Sequence, residues 1–115
     1  MPIKASKWDI VLIDFPFTDG TQTKKRPGAV CAIVINELGR EDLIISAITH
    51  QTGNTGIVVN EGHPEYKMSG LKYPSRILPG KIFTCAKSEV RHKLGQLGPT
   101  LQETIKSRLR DILDL

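Results

Sequence analysis

Apolar residues fall on both alternation sets of the stretch 8–15. Trp8, Ile10 and Leu12 occupy one set; Val11, Ile13 and Phe15 occupy the other. A strand apolar on both faces is covered on both. Pro16 ends it. The polar stretch 18–25 predicts a loop with Gly20 as its turn residue. Pro27, which lacks an amide hydrogen, suits the start of a second strand over 29–35. A turn over 36–41 leads to a third strand over 42–49, where Leu43, Ile45, Ala47 and Thr49 alternate with Ile44, Ser46 and Ile48. A loop over 51–54 precedes a short fourth strand over 56–60. Residues 61–72 are polar and lack a period, which predicts a loop or a short irregular element. Strand pieces over 75–78 and 81–85 flank Pro79-Gly80, a pair that implies a bulge or turn. Residues 88–94 leave room for one helical turn, and 95–97 for a last short strand.

The tail carries the clearest helical pattern. Thr100 is a candidate N-cap, with Glu103 three residues on to complete a capping box. Leu101, Ile105, Leu109 and Ile112 then share one face. Arg108 and Arg110 lie toward the end where positive charge complements the helix dipole. Many short strands with one terminal helix predict a mainly β chain, a small antiparallel barrel against which the helix packs.

Composition narrows the class. The 115 residues fit one domain spanning 1–115 with a single core. A hydrophobic content of 39% and a charged content of 24% exclude a disordered chain. The net charge of +4 favours a polyanion or an acidic protein as partner. The two cysteines, Cys31 and Cys85, form neither a metal cluster nor a disulfide framework, and Cys31 lies in an apolar run as a buried free thiol would. No apolar stretch reaches the ~20 residues of a membrane span, and the first residues lack the apolar segment of a signal peptide. A cytoplasmic protein with no membrane contact is expected.

The chemistry-bearing residues are few. Lys24-Lys25-Arg26-Pro27 sets a cationic tip at a strand entrance. The Arg26 guanidinium can hold two phosphate oxygens at once, and Pro27 restrains the backbone beside it. Taken alone, such a run is more readily a solvated basic loop. Thr49, His50 and Gln51 end the third strand, where a hydroxyl could donate to a phosphoryl oxygen. Histidine is the usual acid or base for splitting a phosphodiester, which makes His50 a candidate. In an extended strand, however, Thr49 and His50 point to opposite faces. His63 and His92 cannot be positioned. No metal-ligand spacing and no glycine-rich nucleotide loop occurs, so no metal or cofactor is expected. Asp9 and Asp14 also fall on opposite faces, and predict solvation or backbone bonding at the two strand ends.

These residues stand in an order that resembles the MazF/PemK toxins of type II toxin–antitoxin systems. The family's opening strand G-D-I-V-x-V-D-F is matched by WDIVLIDF, and its R-P-[AV]-x-V element by Arg26-Pro27-Gly28-Ala29-Val30. Its I-T-[ST]-Q element is matched by Ile48-Thr49-His50-Gln51, and G-L-x-x-x-S-x-[IV] by Gly70-Leu71 through Ser75-Arg76-Ile77. A late L-G-x-L is matched by Leu94-Gly95-Gln96-Leu97. The resemblance implies an SH3-like barrel that forms a homodimer and acts as an mRNA interferase. That activity is metal-independent, sequence-specific cleavage of single-stranded RNA to 2′,3′-cyclic phosphate and 5′-hydroxyl ends. It also implies an antitoxin with an acidic tail that occupies the RNA groove.

By the same resemblance Arg26 and Thr49 are the catalytic positions; Lys24, Lys25 and Lys81 are expected to hold flanking phosphates, and His50, Gln51 and Ser75 complete the RNA-binding candidates. Three departures stand out. Gly20-Thr21-Gln22-Thr23 lacks the acid common in the family, His50 replaces a small residue, and Lys81 replaces a glutamine. With that acid missing, His50 is the candidate for proton transfer. Two other readings compete: a toxin of the same barrel that inhibits DNA gyrase by protein contact, and an RNA-binding module without catalysis.

Overall fold

The computed structural model describes residues 3–16 and 23–115. Six antiparallel strands form one sheet: β1 (Asp9–Pro16), β2 (Thr23–Ile35), β3 (Glu41–Thr49), β4 (Ile57–Val59), β5 (Ser75–Ala86) and β6 (Val90–Gln96). Their order across the sheet is β4-β5-β3-β2-β1-β6. A one-turn helix α1 (Tyr66–Ser69) precedes β5, a 3-10 turn (Lys87–Glu89) joins β5 to β6, and α2 (Pro99–Leu113) closes the chain. The mainly β class with a C-terminal helix is therefore the one adopted. The sheet is open, with β4 and β6 at its edges, where a closed barrel was expected.

Both faces of the sheet are covered, as the double apolar set of β1 requires. Val11 and Ile13 pack with Val30, Leu43 and Ile45 on one face. Ile10 packs on the other with Ala29, Ile48 and Ile77, beneath Leu101 and Ile105 of α2. Burying side chains of this size removes roughly 1.5–3 kcal/mol of solvent exposure cost each. Cys31 and Cys85 are buried in these two clusters as free thiols. Burial pushes both up, Cys85 to about 11 with help from Glu89 and Asp42, so neither is a thiolate at neutral pH.

Several boundaries differ from the sequence reading. β2 begins at Thr23, six residues before the predicted start, because pairing with β1 carries it through Pro27. Pro27 is tolerated there because the ladder to β3 begins only at Gly28, so that stretch is edge-like. The two pieces flanking Pro79-Gly80 are one strand. Ser46 pairs with Ile82 and Ala47 with Leu78, which loops residues 79–81 out as the expected bulge. The helical turn expected over 88–94 is instead a 3-10 turn followed by β6, which also absorbs Gly95 and Gln96. The predicted turn at Gly20 lies outside the described residues. Asp9 accepts the Ser6 amide and pairs with Lys93 at 3.3 Å; Asp14 pairs with Arg91 instead of remaining solvated.

The capping box is also corrected. The N-cap of α2 is Gly98, followed by Pro99, and neither Thr100 nor Glu103 caps it. The first turn is capped from a distance by Glu65, whose carboxylate accepts the Thr100 amide at 2.9 Å and the Leu101 amide at 2.8 Å. A carboxylate at a helix N-terminus also complements the dipole. Burial would raise the Glu65 pKa, but the two amide bonds outweigh it and hold it below the ordinary 4.5. Its stabilisation is therefore complete above 4.5 and is lost as pH falls through the depressed folded value. Glu65→Gln should cost about 1–2 kcal/mol at pH 7. Urea titrations at several pH values should show this gap closing as the solution is acidified below 4.5.

Candidate functional site

The site is built where the β2–β3 ladder opens. The last pair in register is Gly28 with Ala47. Continuing that register by two residues sets Arg26 opposite Thr49. On the other side of β3, Thr49 pairs with Arg76 of β5. Residues directly opposite in antiparallel strands project from the same face. Arg26, Thr49 and Arg76 thus form one row across three strands.

That row lines a cavity of about 580 Å³. Ala47, Leu78 and Phe83 give its apolar wall, and Gln51, Thr55 and Lys81 part of its polar rim. Lys81 is carried by the 79–81 bulge of β5, which turns it toward the opening. Among the described residues the lining contains three cations, Arg26, Arg76 and Lys81, and no carboxylate. Such a surface concentrates anions. Thr49 Oγ1 accepts the Gln51 amide at 3.2 Å, which orients the hydroxyl and leaves its own hydrogen to donate.

Of the residues singled out in the sequence, Arg26, Thr49, Gln51 and Lys81 come together at this cavity. Lys24 and Lys25 are exposed farther back along β2 and do not line it. His50 is exposed with its ring 5.6 Å from that of Tyr73, and is not part of the lining. Ser75 is buried with its hydroxyl donating to the Tyr73 carbonyl at 2.7 Å, so it has no route to the cavity. Thr21 and Gln22, beside the missing family acid, lie outside the described residues.

Sequence reading missed Arg76. It donates to the loop that follows β3: Nε to the Gln51 carbonyl at 3.0 Å, and one terminal nitrogen to the Thr55 carbonyl at 2.7 Å and its hydroxyl at 3.1 Å. The available signal was an arginine between Ser75 and Ile77, in a strand whose neighbours are buried. Its partner Thr49 was not readable without the β3–β5 register.

The comparisons agree with this architecture. Residues 6–113 match the model of the PemK-like, MazF-like toxins of type II toxin–antitoxin systems. The chain belongs to that family. Among solved structures it is similar to an endoribonuclease in complex with its cognate antitoxin from a mycobacterial species. That match has a TM-score of 0.71 and 16% identity, and covers 97% of each chain. It is also similar to the Mycobacterium tuberculosis toxin MazF-mt6, with a TM-score of 0.64 and 18% identity over 93% of this chain and 97% of that one. No curated protein matches the sequence.

Proposed function

We propose that the chain is an endoribonuclease toxin that cuts unpaired RNA at short sequence motifs without a metal, and is neutralised by an acidic antitoxin. The observation that carries this reading is the Arg26–Thr49 juxtaposition in a basic cavity. Membership of a toxin family of type II systems supports it, as does the fold shared with an endoribonuclease solved with its antitoxin.

The chemistry follows from the residues. The 2′-oxygen bonds to phosphorus while the bond to the 5′-oxygen breaks, leaving a 2′,3′-cyclic phosphate and, once protonated, a 5′-hydroxyl. In-line geometry is mainly a matter of positioning. The phosphorane gains negative charge on its non-bridging oxygens, where a forked guanidinium and a hydroxyl stabilise it most. A guanidinium keeps its proton at neutral pH, so Arg26 acts by charge and geometry and not as a base. The proton leaving the 2′-hydroxyl and the one reaching the 5′-oxygen are exchanged with water. Unpaired RNA fits because its phosphates are reachable and its bases can splay outward. An acidic antitoxin segment would occupy the same cations.

The test is the chemistry of the ends. Pure protein with single-stranded RNA in EDTA should yield cyclic-phosphate and 5′-hydroxyl termini. Uncut RNA together with inhibited gyrase supercoiling would overturn the proposal. Since His50 turns toward Tyr73, His50→Ala should keep kcat within about a factor of three, far from the ~10²-fold loss on removing a general acid or base. A pH–rate profile of the variant checks this.

A further inference from the structure

The cations of the cavity do not have equal roles. We propose that Arg76 is a positioning residue that holds the loop over residues 51–55 as a preformed wall beside Thr49, and is not a ligand of RNA phosphate. The proposal rests on the endoribonuclease reading above and refines it.

The loop joins β3 to β4 and has no regular structure of its own. Its backbone carbonyls at Gln51, Thr52 and Thr55 all converge on one guanidinium, at 3.0, 3.4 and 2.7 Å. The Thr55 hydroxyl adds a fourth acceptor. A guanidinium has five N–H donors in a fixed fork, and here both of its edges are engaged by the loop. Gly53 lies directly against it: a Cβ there would sit 2.6 Å from the terminal nitrogen of Arg76. Chain and cation are thus packed as a unit, and with four acceptors on its five N–H donors the guanidinium has no free pair left for a bidentate grip on phosphate. The register makes Arg76 the cross-strand partner of Thr49. It therefore fixes both the start of the loop, next to the Thr49 hydroxyl, and its end at Thr55.

This assignment separates Arg76 from Lys81 and Arg26 experimentally. A phosphate contact contributes a salt slope of about 0.7 per contact on a single strand. Binding of an RNA with 2′-deoxyribose at the cut site should be measured against KCl concentration. Lys81→Ala should flatten the slope by about 0.7, while Arg76→Ala leaves it unchanged. Arg76→Ala should still lower kcat by roughly 10- to 100-fold through misplacement of the Thr49 wall. Amide exchange over 51–55 should quicken, and millimolar guanidinium should restore part of the rate.

Arg76→Lys is the second variant, because it keeps the charge and loses the fork. It should resemble Arg76→Ala in rate and in loop exchange, whereas a residue that supplied only charge to a phosphate would be largely rescued by lysine. A flattened salt slope in Arg76→Ala, rescue by lysine, or unchanged exchange of the loop would each overturn the proposal. Faster exchange in the variant, with no RNA binding by the wild type, would uphold the clamp and overturn the endoribonuclease reading instead.

Discussion

Alanine at Arg26 or at Thr49 is expected to lower kcat by about 10²- to 10³-fold, the usual effect of removing one donor aimed at developing charge. The two side chains line one cavity from adjacent strands; on the proposed mechanism both serve one phosphorus, so their losses should not add. The double variant should be little worse than the worse single one. KM should rise mainly for Arg26→Ala, because the guanidinium attracts ground-state phosphate while the hydroxyl acts mostly as charge develops. Arg26→Lys should recover little, since a point charge cannot span two phosphoryl oxygens. Arg26 is not part of either core cluster and Thr49 ends its strand, so thermal midpoints should stay close to wild type. Growth arrest on induction should disappear in step with kcat.

The largest loss of stability is expected at Gly70. It ends α1 in the left-handed region at φ +70, where glycine alone is unstrained. A Cβ there would also lie 1.9 Å from the Leu94 carbonyl oxygen, a backbone atom of β6 that cannot swing aside. Gly95 meets the same contact from the other side, its Cβ position lying 2.4 Å from the Met68 carbonyl. The two glycines of the G-L and L-G-x-L segments thus allow α1 and β6 to touch backbone to backbone. Gly70→Ala combines conformational strain with a collision and should cost about 3 kcal/mol or more. For a chain of this size the midpoint should drop by roughly 10 °C. Differential scanning calorimetry checks this, and a fall of only a degree or two would mean that α1 separates from β6 without penalty.

Much of the fold was legible because strands declare themselves locally. The double apolar set of residues 8–15 foretold burial on both faces, and Pro79-Gly80 foretold the bulge. Arg26 and Thr49 could be singled out, but only the family resemblance joined them: their meeting depends on the register from Gly28 to Ala47, which no local pattern contains. The same holds for Arg76, whose meaning comes from Thr49 across the sheet. The capping of α2 failed for a related reason. Thr100 and Glu103 have the spacing of a local cap, yet a carboxylate 35 residues upstream reaches the first turn instead. Ser75 looked polar and available, but strand pairing with Val59 turned it inward. His50 follows the end of β3 at Thr49, and its ring lies 5.6 Å from that of Tyr73, a contact that no local pattern contains.

The most direct measurement is a structure of the protein with a single-stranded RNA made uncleavable by 2′-deoxyribose at the cut site. The scissile phosphate should lie within hydrogen-bond distance of both the Arg26 guanidinium and the Thr49 hydroxyl, with the 2′ carbon in line with the departing 5′-oxygen. A scissile phosphate seated away from the row formed by β2, β3 and β5, or touching only one of those two side chains, would contradict the account.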